Sequence, residues 1–201
     1  MKSTVHVVGV DLDNTIICYD SAFHRAALER GWIDTGTAVA KTAVKKVVIE
    51  KAGNWAWTEL QGFVYGPGLK MATAYPGVTG FFEACAKKGI RTIIISHKTQ
   101  FAAAGPRYDL REAARTWLKT SGLLDCGVEE VVFTDTRTAK LEAVRSHGCE
   151  ALIDDLPEVF YDPAYPNGTE FILFDPDQAH TDWTATVRAT SWAEINARFF
   201  P

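Results

Sequence analysis

Apolar positions along the chain fall into two rhythms. Five short runs are nearly unbroken in apolar, largely β-branched residues: 5–10, 90–95, 131–133, 151–153 and 171–174. Such runs predict strands of a parallel sheet, which is buried on both faces and so lacks the alternation of a half-exposed one. Between them the spacing is helical. Residues 20–32 place Phe23, Ala26, Ala27 and Leu28 on one face, with Asp20 or Ser21 as cap and Gly31 as stop. Residues 37–50 repeat Val39, Ala43, Val44, Val47 and Val48 largely opposite Lys41, Lys45 and Lys46, and Gly53 ends that helix. Residues 54–65, with Trp55, Trp57, Leu60, Phe63 and Tyr65, predict a short helix packed on the first two. Residues 78–88, 110–120 behind Asp109, 139–147 and 191–199 complete the set, and Ser191 with Glu194 spells a capping box.

Strands and helices alternate, which predicts an α/β fold of three layers, Rossmann-like, with a parallel sheet between helices. The alternation breaks once, between residues 16 and about 75, where the pattern is purely helical. This divides the chain into a core of residues 1–15 and 76–201 and a small helical insertion of residues 16–75.

Composition narrows the class. At 201 residues and 47% hydrophobic the chain can fill a core without staples. A net charge of −4 with scattered Lys and Arg lacks the basic stripe of a nucleic-acid binder. No apolar run reaches membrane-spanning length, and residues 1–4 lead straight into the first strand without a signal-peptide core. Cys18, Cys85, Cys126 and Cys149 form no CxxC pair, which argues against structural zinc and a disulfide framework and for a reducing, cytoplasmic setting.

The strand ends carry the chemistry. The first run stops at Asp11 and Asp13, whose i, i+2 spacing aims both carboxylates to one side of a strand. Taken alone, 11–15 also fits a polar loop capping a helix. Three further runs, however, end in Ser96 with His97 and Lys98, in Asp135, and in Asp154 with Asp155. Parallel strands bring these ends to the edge where α/β folds bind ligands. Carboxylates converging there repel unless a cation relieves them. Oxygen ligands without Cys or His point to Mg²⁺, which keeps waters and binds substrate phosphate.

On these residues the chain resembles the haloacid dehalogenase-like (HAD) superfamily. Asp11-Leu12-Asp13-Asn14-Thr15 is similar to its opening DxDxT motif, and Ser96 after 91–95 to its second. Lys140 is similar to its third-motif lysine, and Asp154-Asp155 after 151–153 to its acidic fourth. The turn Tyr75-Pro76-Gly77-Val78 is also frequent in the family. The motifs occur in order over nearly the whole chain.

The resemblance implies a Mg²⁺-dependent phosphatase acting on a small phosphorylated metabolite through an aspartyl-phosphate. Asp11 is then the nucleophile. Asp13 is the acid that protonates the leaving oxygen and the base that activates water. The dehalogenating and phosphonate-cleaving branches usually lack this second Asp, so its presence favours phosphate chemistry. Asp11, the Asp13 carbonyl and Asp154 are implied metal ligands; Asp155 binds directly, through water or from outside the first shell, with Asp154 preferred as the direct ligand. Ser96 donates to the phosphoryl oxygens, and Thr15 stabilises the turn and touches the same group. Lys140 is favoured over Lys98 as the phosphate-site lysine, while His97 and Arg107 are candidate substrate contacts. The insertion occupies the position of the family's cap, with hinges at residues 16–19 and 66–76 given freedom by Gly66, Gly68 and Gly77. The rivals are a phosphomutase with the same residues, a catalytically idle binding or scaffold member, and a protein phosphatase. Oligomeric state is left open.

Overall fold

The computed structural model describes residues 5–201; residues 1–4, expected to lead straight into the first strand, lie outside them. In chain order the elements are β1 (Val7–Val10), β2 (Ile17–Cys18), α1 (Asp20–Glu29), α2 (Lys41–Tyr65), β3 (Thr73–Ala74), α3 (Val78–Lys87), β4 (Arg91–His97) and α4 (Leu110–Thr120). There follow β5 (Val128–Thr134), α5 (Arg137–Ser146), β6 (Ala151–Asp154), α6 (Pro157–Phe160), β7 (Glu170–Phe174), β8 (Val187–Ala189) and α7 (Trp192–Phe199). No helix among the described residues is long and apolar enough to cross a membrane. The chain divides into two compact units.

The first unit comprises the chain up to Ile16, Ala74–His97 and Ser121–Pro201. It holds a six-stranded sheet of order β5-β4-β1-β6-β7-β8, parallel at every pairing. All five strands expected from the unbroken apolar runs are present. β1 and β6 are buried along their whole length, and β4 is buried from Thr92 to Ser96. Burial on both faces is what made these runs visible without alternation. β1 sits where the strand order reverses, with β4 and β5 on one side and β6, β7 and β8 on the other. That topological switch point is where α/β sheets open a crevice at their carboxyl ends. β8 escaped the sequence reading, because Val-Arg-Ala is short and polar at its centre. The capping box at Ser191 forms in part. Ser191 Oγ accepts from the Glu194 amide at 3.3 Å, while the Glu194 carboxylate reaches one residue further back, to the Thr190 amide at 2.7 Å.

The second unit comprises Ile17–Thr73 and Lys98–Thr120. Here the division differs from the sequence expectation, which left 98–120 with the core. The cause is α4, whose strongly amphipathic face buries Leu110, Ala114, Trp117 and Leu118. Trp117 Nε1 donates to the Ala72 carbonyl at 3.1 Å, tying α4 to the helical segment before it. Gly53, expected to end one helix, does interrupt α2: it stands at φ 84° and ψ 172°, and the two expected helices meet across that kink. α1 and α2 share an aromatic seam in which Phe23 stacks on Trp57 at 4.9 Å and Tyr19 meets Tyr65 edge-on at 4.8 Å. Asp20 does not cap α1. Its carboxylate accepts from the Lys41 amide at 2.7 Å, and so satisfies the first turn of α2 instead. Gly66 and Gly68 have no positive φ. A Cβ on Gly66 would lie 2.8 Å from the Gly62 carbonyl, and one on Gly68 2.8 Å from the Phe63 ring, so these glycines serve close packing rather than hinge freedom.

Candidate active site

β1 delivers Asp11 to the carboxyl edge of the sheet, and the ladder continues one residue further, since the Asp11 amide donates to the Ile153 carbonyl at 2.9 Å. β6, paired to β1 through Val10 and Ile153, delivers Asp154 beside it. Asp11, Asp154 and Asp155 each offer a carboxylate oxygen, and the three oxygens lie within 4.8 Å of one another. The two acidic strand ends therefore do converge. Asp155 stands with Asp154 and Asp11 in this trio, rather than apart from it.

Lys140 joins them from α5. Thr136 Oγ1 caps that helix by accepting from the Ala139 amide at 3.1 Å, fixing the first turn on which Lys140 sits. The ammonium lies 2.5 Å from Asp11 Oδ1 and 2.5 Å from Asp154 Oδ2, with all three side chains buried. Asp154 Oδ1 also accepts from the Leu156 amide at 3.0 Å. Burial pushes the Asp11 carboxyl up to about 7, aided by the charges of Asp154 and Asp13 and opposed by Lys140. Burial works to lower Lys140, but Asp11 and Asp154 outweigh it and hold the lysine above its ordinary value, so it stays charged. Lys140, the lysine favoured from sequence, is in contact with two of the carboxylates.

Ser96 ends the buried part of β4. Its Oγ is shielded from solvent and, among the described residues, has no hydrogen-bond partner. A buried orphan hydroxyl is unfavourable unless some ligand accepts from it. Thr15 is fully buried, and its Oγ1 donates to Asp155 Oδ1 at 3.5 Å, so it braces the acidic trio. Asp13 is half-buried at the same strand end, and its charge is felt by Asp11. His97 is exposed and turned to β5, where its Nε2 lies 3.0 Å from the Asp135 carbonyl.

The remaining candidates belong to the second unit. Lys98 is buried there with its ammonium 5.1 Å over the Tyr65 ring, and Arg107 is exposed with its guanidinium 3.9 Å over Phe101. Lys45 and Lys46 are solvated, as a polar helix face should be. Of the insertion's aromatics Trp57 is packed inside, whereas Trp55 is 68% exposed.

One contributor had no local signal in the sequence. Trp192, the first residue of α7, donates from Nε1 to the Thr15 carbonyl at 3.0 Å across 177 positions of chain. Only the folded sheet brings α7 to the loop after β1.

Comparison with solved structures gives the arrangement a family context. The chain matches a haloacid dehalogenase-like family hydrolase from Streptococcus pneumoniae with a TM-score of 0.64, at 12% identity over 98% of this chain and 99% of that one. It matches a HAD family hydrolase from Deinococcus radiodurans R1, with bound phosphate and sodium, with a TM-score of 0.61, at 17% identity over 98% and 96%. The chain has the HAD-hydrolase fold. A HAD-hydrolase from Bacillus subtilis bound to magnesium aligns with a TM-score of 0.61, at 12% identity over 99% of this chain and all of that one. No family model and no curated protein matches by sequence. Identities this low carry the HAD fold across, and the side chains at the sheet edge carry the chemistry.

Proposed function

We propose that the protein is a phosphatase that hydrolyses a small phosphate monoester through an aspartyl-phosphate on Asp11. The observation that carries the reading is the Asp11–Lys140–Asp154 constellation beside the orphan hydroxyl of Ser96. Three convergent carboxylates form an all-oxygen donor set that fits Mg²⁺, with the Lys140 ammonium beside two of them, and the unpartnered Ser96 Oγ fits a phosphoryl oxygen. Asp11, Asp154 and Asp155, with the Asp13 carbonyl, are the residues that would hold the ion. When bound, Mg²⁺ supplies positive charge that screens an anionic phosphate from an anionic nucleophile.

The chain's own groups do the rest. Lys140 holds Asp11 in one rotamer through a charge-assisted hydrogen bond and lowers the cost of ionising it. An Asp11 oxygen attacks phosphorus, and the ester oxygen leaves with a proton from Asp13. Ser96 Oγ–H donates to the transferring phosphoryl group. Asp13, now a carboxylate, takes a proton from water, which opens the acyl phosphate and frees Asp11. The second unit enters the chain straight after the Asp11–Thr15 loop and again straight after Ser96 and His97. We assign it the role of a substrate-selecting cap, with Lys98 and Arg107 as its candidate anion contacts.

The test is phosphate release from p-nitrophenyl phosphate and from a panel of phosphorylated metabolites. Asp11→Asn should abolish turnover while leaving the fold intact, and EDTA should remove activity that Mg²⁺ restores. Hydrolysis retained by the variant would remove Asp11 as nucleophile. An isomeric phosphate in place of released phosphate would make the protein a mutase.

A further inference from the structure

The loop that carries Asp11 and Asp13 turns through a left-handed residue. Asn14 stands at φ 60°, in the left-handed region that asparagine tolerates better than other non-glycine residues, though still less readily than glycine. Such a conformation persists when its surroundings over-determine it. The ladder bond from the Asp11 amide fixes one end, and the Ile16 amide closes a turn onto the Leu12 carbonyl at 3.0 Å. Thr15, between them, is gripped twice: its hydroxyl reaches Asp155, and its carbonyl accepts from Trp192.

We propose that Trp192 is a positioning residue for the phosphatase reaction, acting through its indole N–H on the Thr15 carbonyl to hold the Asp11–Asp13 loop in register with Asp155. This rests on the phosphatase reading above. A buried indole needs a partner for its N–H, and here the partner lies two residues beyond Asp13. The clamp is itself rigid. Trp192 is 1% exposed, with its ring centroid 5.1 Å from that of Phe81 and 5.8 Å from that of Phe174. Ser191 caps its helix at the adjacent position. Gly77, at φ 94°, is seated so closely that a Cβ there would lie 3.0 Å from Trp192 Cβ, so the start of α3 braces the same side chain. Loosening one carbonyl in this loop shifts a nucleophile whose alignment controls the rate.

Trp192→Phe keeps an aromatic ring and removes the donor. Benzothienylalanine incorporated at position 192 keeps the bicyclic shape as well, and decides the matter if the phenylalanine variant does not fold. Trp183→Phe is the control: Trp183 Nε1 also donates a hydrogen bond, to Thr186 Oγ1 at 3.2 Å, but in a separate aromatic cluster. Hydrogen exchange of the 11–17 segment is measured without Mg²⁺, and kcat and KM for p-nitrophenyl phosphate with it. At position 192 either change should speed exchange of the loop amides and lower kcat by roughly tenfold each, the equivalent of one lost hydrogen bond, with KM within about twofold. The control should match the wild type in both. Wild-type loop exchange or wild-type kcat in the folded position-192 variants, or equal losses in the control, overturns the proposal. A wild-type protein without turnover refutes the phosphatase reading, and the exchange measurement then decides the clamp alone.

Discussion

Lys140 is a buried cation shared by two buried carboxylates, and its replacement gives a quantitative test of the electrostatics. Lys140→Met keeps most of the side-chain volume and leaves Asp11 and Asp154 buried without their shared partner, both being under one-tenth exposed. Breaking a buried pair in this way costs about 3–5 kcal/mol, because uncompensated charge stays in a dry place. For a chain of this size that is a fall in Tm of roughly 10 °C. The loss should depend on pH, in a direction fixed by Asp11. In the native protein its carboxyl already lies near 7, above its ordinary 3.8, so the folded state binds more protons than the unfolded one in that window. Stability therefore declines as pH rises from about 3.8 towards 7, and levels off once Asp11 is ionised in both states. Without Lys140, which opposes the rise, Asp11 titrates higher still. The variant then keeps losing stability beyond pH 7, where the wild type has stopped. The difference between the two should be about 1 kcal/mol larger at pH 8 than at pH 5.5, one pH unit of titration being worth about 1.4 kcal/mol.

The assay is thermal and urea unfolding of both proteins in EDTA at the two pH values. An unchanged Tm at pH 8 would show that the ammonium does not compensate the carboxylates. A penalty larger at pH 5.5 would show that Asp11 is not the group whose ionisation is being resisted.

Three further outcomes follow from other parts of the molecule. Ser96→Ala removes an unpartnered buried hydroxyl, so it should stabilise the phosphate-free protein by about 1 kcal/mol while lowering kcat/KM about 10- to 100-fold; urea unfolding alongside phosphate release reads both, and a destabilised variant would mean the hydroxyl has a partner. Asp175 is buried, which works to raise its pKa, yet the Arg188 guanidinium at 2.8 Å and the Ala179 and His180 amides outweigh burial and hold it below the usual carboxylate range. Its stabilising contribution is therefore full above pH ~4 and lost as pH falls through the lowered value, so Asp175→Asn should flatten the acid limb of a Tm-against-pH curve. Gly53→Ala forces a Cβ onto φ 84° and ψ 172°, and should cost about 1–3 kcal/mol in the second unit, visible as faster hydrogen exchange across α2.

The sheet was legible because its strands are buried on both faces, and runs such as 151–153, bounded by Gly148 and by Asp154-Asp155, are short enough to favour a strand over a helix. The acidic edge was legible because parallel strands put their ends together, so position in the sequence stood in for position in space. What stayed hidden was set by partners distant in the chain. Asp20 looks like the cap of its own helix but serves the amide of Lys41. The 98–120 segment looks like core until α4 is seen packed beside α2. Gly66 and Gly68 look like hinges, yet it is their lack of a Cβ that is used, and only the neighbours reveal that. Trp192 reads as an ordinary core aromatic, since nothing near it in sequence mentions Thr15.

Under the proposed reading, Lys140 and a divalent ion would not be redundant at this edge. Three carboxylates and one ammonium, with Asp11 ionised, leave a formal charge of −2 in a largely buried cluster. The ammonium engages Asp11 Oδ1 and Asp154 Oδ2, and Asp155 Oδ1 accepts from the Thr15 hydroxyl at 3.5 Å. Each carboxylate has several lone-pair sites, so one hydrogen bond does not exhaust its capacity to accept. A second ammonium would bring one charge and three donors, still short of balance. Under the proposed phosphatase reading, a divalent cation would match that formal charge with oxygen ligands while the lysine orders Asp11.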